Sequence, residues 1–224
     1  MTTVRPVLLD LFCCAGGAAR GYERAGFDVI GIDIEWHPTY PFEFILGDAL
    51  DTSIWPTGLA AIHASPPCQR HSTLRTGITG IYDDLLSQTR DSLRDSGLPY
   101  VIENVVGAPM VDPVMLCGTA LGCVDGDAEL RRHRLFEANF PIVGAECQHS
   151  PDRHVLGVYG DLSNEDRSNG TLGRGTKAGR ARARRLMGID WPMSDRELAE
   201  AIPPTYAEHI GHQLMCAVTT DASV

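Results

Sequence analysis

The sequence has no stretch approaching the run of about 20 apolar residues that a membrane span needs. Its first six residues lack the basic head and apolar centre of a secretory signal. The seven cysteines are an odd, scattered set without a Cys-x-x-Cys pair. They predict reduced thiols in a cytoplasmic protein and exclude a disulfide framework. Positive charge is also scarce: 19 Lys and Arg stand against 29 Asp and Glu, a formal charge of −10. Averaged over the molecule, that argues against a nucleic-acid partner, because phosphate binding needs basic surface. The dinucleotide fingerprint Gly-x-Gly-x-x-Gly is missing too, which disfavours a nicotinamide cofactor.

What is present suits one domain of generous size, or one domain with a small lobe, since 224 residues can bury a sizeable core. The basic residues are clustered. Arg131, Arg132 and Arg134 form one group, and residues 177–185, with Lys177, Arg180 and Arg182, form another that is predicted to face phosphates.

The run Val7-Leu8-Leu9-Asp10-Leu11-Phe12 reads as a central parallel strand. A turn of small residues, Cys13-Cys14-Ala15-Gly16-Gly17, follows and leads into a helix that stops at Gly26. Strand, glycine turn and helix make a cradle in which backbone N–H groups face a ligand, or else a site of tight helix-on-sheet packing. A second strand over residues 28–34 ends at Asp33, where a ribose would be gripped, and Glu35 competes for that role. Trp36 is placed either to stack on an adenine or simply to pack. A third strand, Phe44-Ile45-Leu46, delivers Gly47-Asp48, a further carboxylate or an ordinary turn. A fourth, Leu59-Ala60-Ala61-Ile62-His63, empties into Ser65-Pro66-Pro67-Cys68-Gln69. The two prolines restrict the backbone, so Cys68 is presented at a strand end, where open α/β sheets place their chemistry. Residues 70–80 read as a polar lid, residues 81–95 as a helix, and Pro99-Tyr100-Val101-Ile102 as a fifth strand running into Glu103-Asn104-Val105. A glutamate emerging from an apolar run is costly unless it is paired or used.

In this order, Asp10-Leu11-Phe12-Cys13 with Gly16-Gly17, Pro66-Pro67-Cys68-Gln69 with Ser72, Glu103-Asn104-Val105, Arg132-His133-Arg134, and Ala201-Ile202-Pro203-Pro204 with Ile210-Gly211 resemble the motif set of the DNA cytosine-5 methyltransferases. The match runs from about Leu8 to Leu214, and is most similar to the compact members of phages and bacteria, including restriction-modification systems. The resemblance implies an α/β fold, a Rossmann-like S-adenosylmethionine-dependent sheet with helices on both faces and a much reduced target-recognition lobe. It implies methyl transfer from S-adenosyl-L-methionine to C5 of cytosine in double-stranded DNA, on a flipped base. Cys68 would add to C6, Glu103 would serve N3, Arg134 would donate to O2, and Arg132 would brace the site. Phe12, Cys13, Cys14, Ala15, Gly16, Gly17, Asp33, Ile34, Asp48 and Ala49 would bind the cofactor. Gln69, Ser72 and Arg75 would join the basic cluster in contacting DNA. An RNA cytosine-5 methyltransferase and a catalytically silent DNA-binding member are the alternative readings.

The expected organisation is a catalytic domain over residues 1–135, a small recognition region over 136–192 with a polar loop at 164–179, a returning segment and helix over 193–218, and a disordered tail over 219–224. A monomer in the cytoplasm of a bacterial or phage-infected cell is expected, with no membrane partner. Cys14 stands where the family has glycine, Leu130 where it has glutamine and Glu200 where it has asparagine. Cys147, His149 and nearby His154 carry ligand atoms, but four ligands at an orderly spacing are not legible, so no metal is expected.

Overall fold

A computed structural model describes residues 4–67, 85–166 and 176–221. Strand β1 (Val7–Leu11) alternates as a sheet buried on both faces should, with Leu8 in one hydrophobic cluster and Leu9 and Leu11 in the other. Helix α1 (Gly17–Arg24) follows, and Gly26 at φ 107° ends it as the sequence predicts. In order come β2 (Asp28–Asp33), β3 (Glu43–Leu46), β4 (Leu59–Ala64), α2 (Leu85–Ser96) and β5 (Tyr100–Val105). Next are β6 (Val114–Leu116), the short hairpin β7 (Val124–Asp125) and β8 (Ala128–Glu129), and β9 (Arg134–Ala138). The chain closes with β10 (His154–Gly157), β11 (Thr176–Lys177), α3 (Arg180–Met187), α4 (Asp195–Glu200) and α5 (Pro204–Asp221).

Seven strands form the central sheet in the order β3-β2-β1-β4-β5-β9-β6. The first five are parallel, and β9 runs antiparallel to both neighbours. The chain winds outward from β1 to β3 and then crosses back to β4, so the carboxyl ends of β1 and β4 flank the switch point where such sheets bind ligands. Helices cover both faces: α1, α3 and α5 pack in one cluster, while Leu86 and Leu93 of α2 pack in the other. The α/β class holds.

Helix α5 begins with Pro204, whose missing N–H costs nothing at a first helical position. It packs chiefly on α1 rather than on β1. Close approach requires glycine on α1: a Cβ at Gly17 would lie 2.4 Å from the Ile202 carbonyl oxygen, and one at Gly21 only 2.2 Å from that of Pro204. The helix continues to Asp221, so residues 219–221 of the predicted disordered tail are helical, and residues 222–224 lie outside the described residues.

The recognition region expected over 136–192 is not set apart in the core. The 135/136 boundary falls inside β9, a strand of the central sheet. Strands β11-β10-β8-β7 form a small second sheet, yet Leu156, Val158 and Leu162 join the same hydrophobic cluster as Leu8 of β1. Trp191 ties the far end back by donating to the Ala15 carbonyl at 2.9 Å. Within the predicted polar loop, residues 176–177 are a strand and the Gly179 N–H donates to Asp166 Oδ1 at 2.7 Å. Residues 167–175 of that loop lie outside the described residues. No helix among the described residues is long and apolar enough to cross a membrane.

Candidate active site

The turn after β1 is held in a demanding conformation. Phe12 (φ 58°) and Cys14 (φ 45°) both occupy the left-handed region without being glycine, at a cost of about 1–3 kcal/mol each. Asp33 at the end of β2 holds this turn, its Oδ2 accepting from the Cys14 N–H at 2.9 Å and its Oδ1 from the Glu35 N–H at 3.0 Å. Both Asp33 oxygens therefore have backbone partners, and Glu35 is the exposed carboxylate beside it. Gly16 (φ 86°) caps α1, and burial pushes the Cys14 thiol up to about 12. Asp48 is exposed, with Oδ1 accepting from the Leu50 N–H at 2.9 Å; Ala49 is buried and its carbonyl accepts from the Trp55 indole at 3.1 Å. Two large apolar side chains stand open at the end of β2, Ile34 at 75% exposure and Trp36 at 64%. Replacing Cys14 by glycine is expected to raise stability by about 1 kcal/mol. Thermal unfolding should register roughly 2–4 °C, and an unchanged or lower midpoint would mean the left-handed turn carries no strain.

The second half of the site lies across the switch point. The Ser65 N–H donates to the Leu11 carbonyl at 3.1 Å, which pins the exit of β4 to β1. Asn104 on β5 donates through Nδ2 to the Pro66 carbonyl at 3.2 Å and accepts the Val105 N–H, so it secures the Pro66-Pro67 segment. Cys68, Gln69, Ser72, Arg75 and the predicted lid over 70–80 lie outside the described residues. Beneath the exit, buried His63 bridges the Tyr22 hydroxyl (2.9 Å) and Ser65 Oγ (2.8 Å). Burial depresses its pKa to about 3, so it stays neutral and acts as a strut.

Glu103 is buried near the carboxyl end of β5, and the register Val105↔Arg134 brings the start of β9 beside it. Arg134 Nε stands 2.9 Å from Glu103 Oε1, an ion pair without hydrogen-bond alignment, and Oε1 has no hydrogen-bond partner among the described residues. Burial raises the Glu103 pKa, while Arg134 and then Arg132 oppose the rise. Arg132 braces the surroundings, donating to the carbonyls of Val158 and Ala199 at 2.8 Å each. Of the three departures from the family pattern, Leu130 is buried in the core, Glu200 meets Arg196 at 3.3 Å, and Cys14 adopts the left-handed backbone anyway.

The residues of the predicted phosphate-facing cluster all have partners within the chain. Arg180 is bound by Asp195 at 2.5 Å; Arg182 by Asp166 at 2.9 Å, Asp125 at 3.3 Å and also Asp127; Arg185 by Asp125 at 2.9 Å. Lys177 donates to the Asp161 carbonyl and lies over the Tyr159 ring at 5.2 Å. Internal carboxylates thus pair with Arg180, Arg182 and Arg185. The sequence shows no orderly set of four metal ligands, but the fold gathers four ligand-bearing side chains from distant segments. Cys117, His133, Cys147 and His149 place one ligand atom each within 4.8 Å of one another. His154 is elsewhere, 3.9 Å from Asp127. The Cys147-x-His149 pair was visible in the sequence; nothing in the spacing pointed to Cys117 or His133.

With this geometry in view, comparison with solved structures is informative. An Entamoeba histolytica methyltransferase matches with a TM-score of 0.62 at 12% identity, over 96% of this chain and 99% of that one. A prophage-encoded E. coli protein described as a candidate DNA modification methyltransferase matches at 0.58 and 15%, over 96% and 99%. A variant of the Spodoptera frugiperda DNMT2 matches at 0.59 and 12%, over 94% and 99%. The fold is the one these methyltransferases share. No family model and no curated protein sequence matches the chain. In this chain the antiparallel β9 brings Arg134 to Glu103, and pairing of β1 with β4 sets the β1 turn beside the Pro66-Pro67 exit.

Proposed function

We propose that this chain is a monomeric methyltransferase that moves a methyl group from S-adenosylmethionine to C5 of cytosine in double-stranded DNA. The observation that carries the reading is the buried Glu103–Arg134 pair at the end of β5, one strand away from Pro66-Pro67, after which Cys68 is the next residue. Matched solved structures that are themselves methyltransferases support the reaction class.

The residues present fit the cofactor. Exposed Ile34 and Trp36 offer apolar cover for a purine beside the exposed carboxylates Glu35 and Asp48. Because Asp33 already holds the turn through both oxygens, Glu35 is assigned to the ribose hydroxyls, and Phe12, the Cys13-to-Gly17 backbone, Asp48 and Ala49 complete the pocket. S-Adenosylmethionine, when bound, supplies an electrophilic methyl on a sulfonium sulfur.

Cytosine C5 is a weak nucleophile and must first be activated. The Cys68 thiolate adds to C6, and the displaced ring electrons shift toward N3. Protonated Glu103 donates to N3, and Arg134 donates to O2, where charge builds. C5 then takes the methyl group, the pair of the broken sulfur–carbon bond staying on what would be the cofactor's neutral thioether sulfur; C5 loses its proton to a base, the double bond re-forms as the thiolate leaves C6, and N3 returns its proton to Glu103. The target must leave the stack to reach this crevice. With Arg180 and Arg182 held by carboxylates, DNA contact is assigned to Gln69, Ser72 and Arg75 after the nucleophile. A recognition surface this small suits a short target sequence, since each good bidentate base contact contributes about 1–3 kcal/mol.

The test is covalent trapping. A duplex carrying 5-fluorocytosine throughout one strand should form a denaturant-stable adduct in the presence of S-adenosylmethionine, and peptide mapping should locate it at Cys68. Absence of an adduct, or its attachment elsewhere, overturns the mechanism. An adduct with 5-fluorocytosine RNA alone moves the substrate from DNA to RNA and leaves the chemistry standing.

A further inference from the structure

We propose that Cys117, His133, Cys147 and His149 bind one zinc ion in a closed, four-coordinate site that anchors the segment bearing Arg134. This site is separate from the methyl-transfer chemistry, and its test does not depend on that reading. The four ligand atoms come from three parts of the chain: the residue after β6 (Cys117), the residue before β9 (His133), and an irregular loop (Cys147 and His149). All lie within 4.8 Å of one another. Two sulfur–nitrogen separations are already 3.4 Å, from Cys117 Sγ to His149 Nε2 and from His133 Nε2 to Cys147 Sγ. Zinc with sulfur at about 2.3 Å and nitrogen at about 2.0–2.1 Å in a tetrahedron sets its ligand atoms roughly 3.3–3.8 Å apart. A small contraction of the widest pair therefore closes the polyhedron.

The donor set selects the metal. Two thiolates and two imidazoles suit zinc and are poorly matched to magnesium or calcium, which take oxygen. Four protein donors leave no open position, so the ion is structural. The two thiolates balance its charge. The surroundings are prepared to hold the ligands. Thr119 Oγ1 accepts the Gln148 N–H at 3.2 Å, which leaves its own proton to donate to Cys117 Sγ, 3.2 Å away. Just beyond His149, the Ser150 N–H donates to Glu129 Oε2 at 3.0 Å and its carbonyl accepts from Arg131 at 3.2 Å. Partners of this kind fix ligand orientation in metal sites.

The consequence is mechanical. Residues 141–150 form no regular secondary structure, so few backbone hydrogen bonds hold them. A zinc ion would join this loop to β6 and to His133, which lies between Arg132 and Arg134. It would fix the start of β9, and the four ligands act here as structural ligands.

The full chain, produced in zinc-supplemented medium and purified under reducing conditions without chelator, is expected to hold about one zinc per chain by elemental mass spectrometry. Cys147 and His149 are both exposed, so C147S and H149Q should fold and yet lose most of the metal. Adding a strong chelator should lower the unfolding temperature of the wild type and leave H149Q unmoved. Cobalt titrated into metal-free wild type should give tetrahedral ligand-field and thiolate charge-transfer bands that saturate at one equivalent. Three results would each overturn the site: wild type without zinc and without a cobalt spectrum, equal zinc in C147S and H149Q, or a Cys117–Cys147 disulfide in their place.

Discussion

Replacing Glu103 by glutamine is expected to slow methyl transfer by roughly 10²- to 10⁴-fold, the usual worth of a general acid, or about 3–5 kcal/mol of barrier. Glutamine keeps the shape and can still donate a hydrogen bond to N3, but it cannot deliver a proton. Cofactor affinity by calorimetry should be unchanged, because the β1 turn and the ends of β2 and β3 are not touched. The pH dependence gives a second readout. Burial raises the Glu103 pKa despite the nearby Arg134, so the protonated form survives above the ordinary carboxylate range. Activity that needs this proton falls as pH rises through the raised value, and the variant should lose that alkaline limb. The stability sign follows. Between the unfolded and the raised folded pKa, the native protein holds a proton the unfolded chain has released, so stability falls with rising pH. E103Q removes this slope. A variant that keeps full activity, or the same pH profile, would remove Glu103 from the chemistry.

Gly21→Ala is expected to be the most damaging single methyl that can be added to the helix layer. The new Cβ would stand 2.2 Å from the Pro204 carbonyl oxygen, 2.6 Å from the Glu208 nitrogen and 2.7 Å from the Ala207 Cβ. None of these atoms can rotate away, so α5 must back off α1 along its first turn. Overpacking of this kind costs about 3 kcal/mol. The intrinsic gain of alanine over glycine in a helix is about 1 kcal/mol. The clash outweighs propensity, and the net loss of about 2 kcal/mol should lower the unfolding midpoint by roughly 4–8 °C. A midpoint that rises, as propensity alone would dictate, would mean that α5 does not lie where the structure puts it.

The elements legible in the sequence were those with a local cause. β1, β4 and β5 are apolar runs bounded by small or polar residues, α1 is stopped by Gly26, and α5 starts at Pro204. Local backbone preference and hydrophobic periodicity suffice for those, and the order of elements then implies a doubly wound sheet. Glu103 stood out because a glutamate emerging from an apolar run needs a use or a partner, whereas Asn104 and Arg134 stood out through the ordered motifs of the family resemblance. What only the tertiary structure decided depends on which distant segments meet. The arginines of α3 read as a free basic face, but β7, the residue before β8 and the 160s loop deliver Asp125, Asp127 and Asp166 to them. Asp33 and Glu35 both read as candidates for a ribose, and only the fold showed Asp33 also holding the β1 turn through the Cys14 and Glu35 amides. The Cys117, His133, Cys147 and His149 group was hidden for the same reason. Its members follow no helical or strand period, and β9 must insert antiparallel between β5 and β6 before His133 comes beside Cys117. Periodicity records what a residue does for its own element; a partner that arrives from another element leaves no mark on it.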